Sequence, residues 1–403
     1  MRPHEECSEQ NATSDAASWA GVASIAAGAF LLVTTEFLPI GMLSPIAAGF
    51  RVTEGTAGLA VTAPGFIAAI AAPVMTIAAG RVDRRTVIVV MTLAIIVSNV
   101  IAAAAPDFTI FLIGRLILGV AVGGLWSFAV AIGRRLVPES AGARATSIIS
   151  AGISAGTVCG MPVGAVAGDL VGWRWVFAAN ALLGLLIILA QVRFLPRLPT
   201  IVPINVARLI DFARVPMARI GLIASGFVAA GHFIAYTFLE PHLRDSLAFG
   251  QSGVALALAG YAVAGIAGAF AGEHLAIRNI RQALAVSSAA VGLFVVAAAS
   301  LAGAPTAAVI MVMLWGFTFG AVPVCVQVWM FTSSPKLYEA GSALMVSAFQ
   351  VALAAGAAVG GLLVDSSGIG AAFLVGGVVC VVGAFIPLLS RTPDASPSTL
   401  PPP

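Results

Sequence analysis

The sequence predicts an all-α membrane protein in which twelve transmembrane helices form two pseudo-symmetric six-helix bundles. Three observations carry that expectation. Of the 403 residues, 60% are hydrophobic and only 9% are charged, against about a quarter charged in an ordinary soluble domain. The apolar residues fall in long runs, and a run of about 18 or more with few charges is long enough to cross a bilayer. The basic residues between runs gather on alternate loops, as expected when Lys and Arg stay on the cytoplasmic side. Together these exclude a soluble enzyme, a disordered chain and a collagen-like one.

Residues 1–18 are acidic and lack the basic start and cleavage site of a secretory signal, so they read as a cytoplasmic tail. Residues 19–195 form the first bundle, with spans at 19–43, 56–79, 86–105, 108–132, 145–168 and 175–194. The stretch 196–216, with four prolines and several arginines, reads as a cytoplasmic linker. Residues 217–390 form the second bundle, with spans at 217–239, 252–272, 283–302, 306–331, 341–364 and 370–390. Residues 391–403 form a second cytoplasmic tail. The separators are short and rich in Arg, Pro, Gly and acidic residues. With the N-terminus inside, sixteen of the twenty Lys and Arg face the cytoplasm, while Arg51, Arg174 and Arg244 face out. The twentieth, Arg115, lies within span four. Dropping a span would scramble this division, so it supports the number of spans as well as the orientation.

The halves repeat faintly. Gly119 and Gly123 recur as Gly316 and Gly320; Gly160, Gly164, Asp169 and Gly172 recur as Gly356, Gly360, Asp365 and Gly368; Phe37-Leu38 recurs as Phe238-Leu239. Paired six-span repeats around a midplane site are a design of secondary transporters. Span five carries Gly152, Gly156, Gly160, Gly164 and Gly168. A four-residue step keeps them on one slowly drifting ridge, where another helix can come close. Pro162 should bend that helix. The ridge serves either static packing or a helix pair that slides.

Charges inside the membrane are costly and usually functional, and few are present. Glu36 lies in the outer third of span one. A carboxyl group there that takes up and releases a proton while facing each side in turn can carry it across; alternatively, Thr34 or Thr35 holds it for structure. Arg115 stays charged and must find acceptors or water. It shares a stripe of span four with Gly119, Val122 and Trp126, so one face presents a cation and, deeper, a flat ring. It could equally snorkel outward. His232, near the middle of span seven, shares a stripe with Tyr236. It can join a proton relay, because imidazole titrates near neutral pH, or serve as an ordinary interhelical hydrogen-bonding group. Gln327, Trp329, Gln350, Asn99 and Asn180 are further embedded groups, the two asparagines reading as interhelical glue.

The four cysteines are scattered and the four histidines have no paired spacing, so neither a disulfide framework, a metal site nor an intramembrane enzyme is expected. No basic run suggests nucleic acid. The expected partners are a small solute, protons and the bilayer, with no cofactor.

Between spans two and three, Gly80-Arg81-Val82-Asp83-Arg84-Arg85 resembles in part the Gly-x-x-x-Asp-Arg signature of the major facilitator superfamily. The first glycine is one place too close. Arg115 with Gly119, and the glycine-rich stretch Gly156, Gly160, Met161-Pro162 and Gly164, resemble the span-four and span-five signatures of its twelve-span proton-coupled efflux branch. Met161 takes the place of a glycine. Thr35-Glu36-Phe37-Leu38-Pro39-Ile40-Gly41, Gly123-Gly124-Leu125-Trp126-Ser127 and Trp315 through Val324 resemble most the purine ribonucleoside efflux pumps and related sugar and arabinose efflux permeases.

The resemblance, which covers Trp19 to Ser390, implies a monomeric exporter of the bacterial inner membrane, driven by the proton gradient through alternating access. Purine nucleosides are the favoured substrate, with sugars or drugs as the alternative and import as a lesser one. It implies proton coupling by Glu36, Arg115 and His232. It implies a cavity lined by Glu36, Trp126, His232, Tyr236 and Gln327. The loop Gly80, Asp83, Arg84 and Arg85 would act as a conformational lock, or only enforce topology, and Gly156, Gly160, Pro162 and Gly164 would form the bending helix.

Overall fold

The computed structural model describes residues 3–78, 82–199, 206–301 and 303–389. Gly80 and Arg81 of the loop motif and the 391–403 tail lie outside the described residues. Among the described residues the secondary structure is helical, with no strand. Eleven helices among the described residues are long and apolar enough to cross a membrane. One of them, Gln251–Ser300, has 50 residues and would be about 75 Å long as a straight rod, against a bilayer core of about 30 Å. Its backbone leaves helical geometry at Asn279 (φ −158°, ψ 97°), where the Asn279 side chain accepts from the Gln282 N–H at 3.1 Å. The rod is therefore spans eight and nine joined by a corner, which gives the expected twelve.

Span one begins earlier than the composition suggests. The helix Pro3–Phe37 runs without a break through the expected tail. It ends where Pro39 interrupts the hydrogen-bond ladder, continuing as a 3-10 turn Leu38–Met42 and a helix Leu43–Phe50. The remaining spans of the first half are Leu59–Ala78, Arg84–Ala104, Phe108–Arg135, Gly142–Val171 and Trp173–Phe194. The expected linker contains a short helix, Val206–Arg214, whose buried Phe212 packs on Gly341. The second half is Pro216–Tyr236, the bent pair already described, Pro305–Ser333, Tyr338–Ser367 and Ile369–Phe385. With an even number of spans, the start of span one and the end of span twelve lie at one end of the bundle, here the terminal end; the opposite end is the distal end.

The glycine ridge packs on span one along its length. A Cβ on Gly152, Gly156, Gly160, Gly164 or Gly168 would first meet Ala26, Phe30, Thr34, Leu38 and Met42 respectively, the same four-residue step on the partner helix. The second half repeats the contact: Gly356 faces Ala230 and Gly360 faces Ile234. These pairs are the Gly160–Thr34 and Gly164–Leu38 pairs shifted by one constant 196 residues. That register corrects the sequence match of Phe37-Leu38 with Phe238-Leu239. Phe37 instead corresponds to Phe233, on which it stacks at 6.3 Å, and Glu36 corresponds to His232. Gly172 and Gly368, also 196 apart, turn the chain from span five to six and from eleven to twelve with φ of 89° and 88°, a conformation that glycine adopts at little cost.

The outer faces of the bundle are apolar and exposed, as in the Leu182, Leu186 and Leu189 stripe of span six and Leu256, Val263 and Phe270 of span eight. Such faces suit hydrocarbon, because every backbone group of the helix is satisfied internally.

Candidate functional site

Glu36 is 2% exposed. Its Oε1 accepts the Nε2–H of Gln350 at 3.1 Å, a bond from span one to span eleven and thus between the halves. Its Oε2 has no hydrogen-bond partner, nor do Trp126 Nε1, Ser347 Oγ, Thr34 Oγ1 and Gln350 Oε1. The Trp126 indole reaches the same carboxyl from span four, outside ordinary hydrogen-bond geometry. Ser347 lies one turn from Gln350 on the same helix face. The half-buried rings of Phe37, Phe319 and Phe349 stand nearby: Phe233 packs against all three, at 6.3, 6.5 and 5.8 Å. A carboxylate, an amide, an indole N–H and a hydroxyl therefore meet aromatic walls at the junction of the halves.

Arg115 is fully buried and meets Glu36, though not at its carboxylate. Its NH2 donates to the Glu36 backbone carbonyl at 2.9 Å, its NH1 to the Thr35 carbonyl at 2.8 Å and its Nε to the Ala60 carbonyl at 2.7 Å. Simple chain chemistry explains these acceptors. In a helix the Thr35 carbonyl would take the N–H of residue 39, and the Ala60 carbonyl that of residue 64. Both positions are proline, which has no N–H. Arg115 supplies the missing donors, pinning the breaks of spans one and two together and leaving the Glu36 side chain free to turn toward Trp126 and Gln350. It does not snorkel. Asn99 Nδ2 adds a bond to Thr35 Oγ1 at 3.2 Å, the interhelical role expected of it.

Two of the expected cavity residues, His232 and Tyr236, lie elsewhere. His232 is fully buried in the second half. Its Nδ1 accepts from Trp315 Nε1 at 3.0 Å, so the neutral ring carries its proton on Nε2, which has no partner. It stacks on Phe319 at 3.4 Å and on Tyr236 at 4.5 Å. His232 and Tyr236 thus belong to an aromatic core with Tyr261 and Trp315, behind Phe319, and not to an open wall. Stripe geometry could not reveal this, because Trp315 comes from another span. Gln327 is exposed on span ten, about 12 Å along the helix from Phe319. Conversely Gln350, on sequence grounds only an embedded polar group, is the inter-half partner of Glu36. One clue was available, since a polar amide in an apolar span needs a partner.

The contacts described for the loop motif lie within the first half and the start of the linker. Asp83 caps span three, accepting from the Arg85 and Thr86 N–H groups, at a helix start where a carboxylate is favoured. Its other oxygen accepts from Leu198 N at 2.7 Å. Arg85 donates to the Val192 carbonyl, and Arg84 lies over the Phe128 ring at 4.5 Å. The contacts described for Asp83 and Arg85 do not reach the second half, so neither serves as an inter-half lock in this conformation.

The hydrogen bonds described between the halves lie from Glu36 toward the distal end. Thr53 Oγ1 donates to Asp365 Oδ2 at 2.7 Å and Gly55 N to Asp365 Oδ1 at 3.0 Å. Gln251 Nε2 donates to the Val166 carbonyl at 3.3 Å, and Arg244 pairs with Asp169 at 3.2 Å. Gly55 and Gly361 touch backbone to backbone. The distal end is shut in this conformation.

A twelve-span bundle of two like halves, with a sparse polar group at their junction and one end sealed, is the architecture of a membrane transporter. The comparisons with known proteins agree. A family model described as Major Facilitator Superfamily matches residues 25–350 and 221–403. The chain belongs to that superfamily, a family of multi-pass transporters rather than enzymes.

The Pseudomonas aeruginosa protein described as transcription regulatory protein OpdE is 32% identical over 94% of this chain and 95% of its own. The purine ribonucleoside efflux pump NepI of Escherichia coli O6:K15:H31 is 30% identical over 92% of this chain and 93% of its own. Among solved structures, a bacterial homologue of the human lysosomal transporter Spinster, inward-facing and occupied, matches with a TM-score of 0.75 at 16% identity, covering 91% and 95% of the two chains. The human organic anion transporter MFSD10 matches at 0.65 and 18%, covering 91% and 98%.

Proposed function

We propose that the protein exports a small organic solute across the bacterial inner membrane in exchange for protons, by alternating access, with purine nucleosides as the favoured substrate class. The observation that carries this reading is the Glu36–Gln350 bond across the halves, beside unpartnered donors on Trp126 and Ser347. As a carboxylate, Glu36 accepts from Gln350 and has a free oxygen for a substrate N–H or O–H. Once protonated on that free oxygen, it offers a donor there in place of the acceptor, while Oε1 still accepts from Gln350. Proton and substrate therefore compete for one group. An equilibrium between two conformations shifts only by differential binding, and a group bonded across the halves provides it.

Positive charge gathered at the terminal end supports a reading with that end in the cytoplasm, the distal end outside and both termini inside. His232, which corresponds to Glu36 in the repeat, is held back from the junction by Phe319. On this reading it has no direct part in proton transfer.

Stacking on half-buried rings suits a planar base and is worth about 1–3 kcal/mol per base. The efflux pump NepI among the relatives supports the same class. The second reading, sugar or drug export by the same cycle, rests on the apolar share of those walls. The test is pH-driven efflux in vesicles of known orientation. Glu36→Gln is expected to remove proton dependence while the protein stays inserted and folded; unaltered pH-driven transport by that variant removes Glu36 from the mechanism. Thermal stabilisation by nucleosides, sugars or antibiotics, lost in Trp126→Ala, decides the class.

A further inference from the structure

At the distal end a second group of carboxylates meets across the halves. Ser44, on the helix Leu43–Phe50, places its Oγ 2.7 Å from Glu54 Oε1 and 2.9 Å from Glu240 Oε2. Its backbone N–H also donates to Glu240 Oε2 at 3.0 Å. Glu240 belongs to the second half, between spans seven and eight, and is fully buried. A serine hydroxyl has one hydrogen and can donate to one of the two carboxyls. The other short oxygen–oxygen contact must contain a proton from the carboxyl side. Glu240 Oε1 already accepts the Nε–H of Arg244 at 2.6 Å, so the hydroxyl is best used toward Glu240, with the additional proton on Glu54 donated to Ser44.

The surroundings reinforce that count. Four carboxylates, Glu54, Asp169, Glu240 and Asp245, act around one guanidinium, Arg244, which spans Glu240 and Asp169. From span eleven, Asp365 accepts the Thr53 hydroxyl and the Gly55 N–H beside Glu54. His242, next in the chain to Pro241, packs its ring on Phe373 at 4.5 Å and takes no part.

We propose that Glu54 and Glu240 share one proton through Ser44, and that this second proton site, separate from Glu36, holds the distal end shut. The inference rests on the reading that the halves part there during transport. Burial raises the Glu240 carboxyl above its usual range, and two interacting carboxyls titrate as a pair. When the halves separate, both groups are hydrated and return to ordinary carboxylate values. The closed form then binds one proton more than the open form near neutral pH. Falling pH favours closure and rising pH favours opening, by up to about tenfold in the open-to-closed ratio per pH unit.

The test is a distance measurement between spin labels at Ala48→Cys and Ser246→Cys, both exposed distal positions on opposite halves, with the four native cysteines replaced by alanine. The full chain in lipid nanodiscs is titrated from roughly pH 5 to 9, a range that brackets ordinary and raised carboxylate values. The expected result is a closed population that falls as pH rises. Glu54→Gln, whose amide can donate to Ser44 without a titrating proton, is expected to stay closed throughout. The dependence should persist in Glu36→Gln. A distance insensitive to pH, the same titration in Glu54→Gln, or its disappearance in Glu36→Gln overturns the proposal.

Gly55→Trp separates the two levels of argument, because its side chain must displace Gly361 and Asp365. If Gly55→Trp widens the distal distance while the parent ignores pH, the halves part and the shared proton is refuted. If Gly55→Trp leaves the distance unchanged, the halves do not part there, and the shared-proton latch is refuted with that reading.

Discussion

Arg115 is the residue whose removal has the most calculable consequence. Arg115→Met keeps length and apolar bulk but withdraws donors from three buried carbonyls, those of Thr35, Glu36 and Ala60. An unsatisfied buried acceptor costs about 1–3 kcal/mol. The Thr35 and Ala60 carbonyls, each without its helical donor, together amount to about 2–6 kcal/mol on that same scale, reduced by the relief of no longer burying a guanidinium. Stability is read by thermal unfolding of detergent-purified protein.

The diagnostic step is the reversal. Pro64→Ala returns an N–H toward the Ala60 carbonyl, and Pro39→Ala does so for Thr35. In each proline-free background Arg115→Met should cost about 1–3 kcal/mol less. A loss under about 1 kcal/mol in the parent, or no rescue by either proline change, would refute the view that Arg115 replaces donors missing from proline.

Other outcomes follow from the same contacts. Gly152→Ala is expected to lower thermal stability more than Gly160→Ala. The added methyl runs into the Ala26 carbonyl in the first case, whereas in the second its nearest neighbour is the Thr34 Cα at 3.3 Å. Asp83→Ala removes a helix cap, worth about 0.5–2 kcal/mol, together with the tie to Leu198, so hydrogen exchange should quicken at residues 195–199 as well as at the start of span three. His232→Asn, which can place an acceptor near the Trp315 indole, should retain more stability than His232→Phe, which leaves that buried N–H alone at about 1–3 kcal/mol. If His232 were instead a proton carrier, His232→Asn would abolish pH-driven transport despite normal stability.

How much of the site could be read from the chain differs residue by residue. Glu36 and Arg115 stood out because charge within an apolar run is rare and costly. The partners of Arg115 were also open to reasoning, since Pro39 and Pro64 each leave one carbonyl without its helical donor. Gln350 was not, because it is 314 residues from Glu36. His232 and Tyr236 share a helical stripe, but whether a stripe faces a cavity or a packed ring such as Phe319 depends on a neighbouring span. The repeat was visible in its glycines, yet its register was misread at Phe37, where a two-residue match outweighed the ridge contacts that only packing displays.

The chain by itself determined the number of spans, the glycine ridge and the few charges placed within the membrane. Those features follow from local physics: hydrophobic length, helical periodicity and the missing N–H of proline act within a few turns of one helix. Only the tertiary structure decided that Glu36 bonds to Gln350 across the halves, that His232 turns into an aromatic core, and that Ser44 joins Glu54 to Glu240 at the sealed distal end. Such contacts depend on which helices the two half-bundles bring together, and that is set by the summed packing of many apolar faces, not by any segment alone.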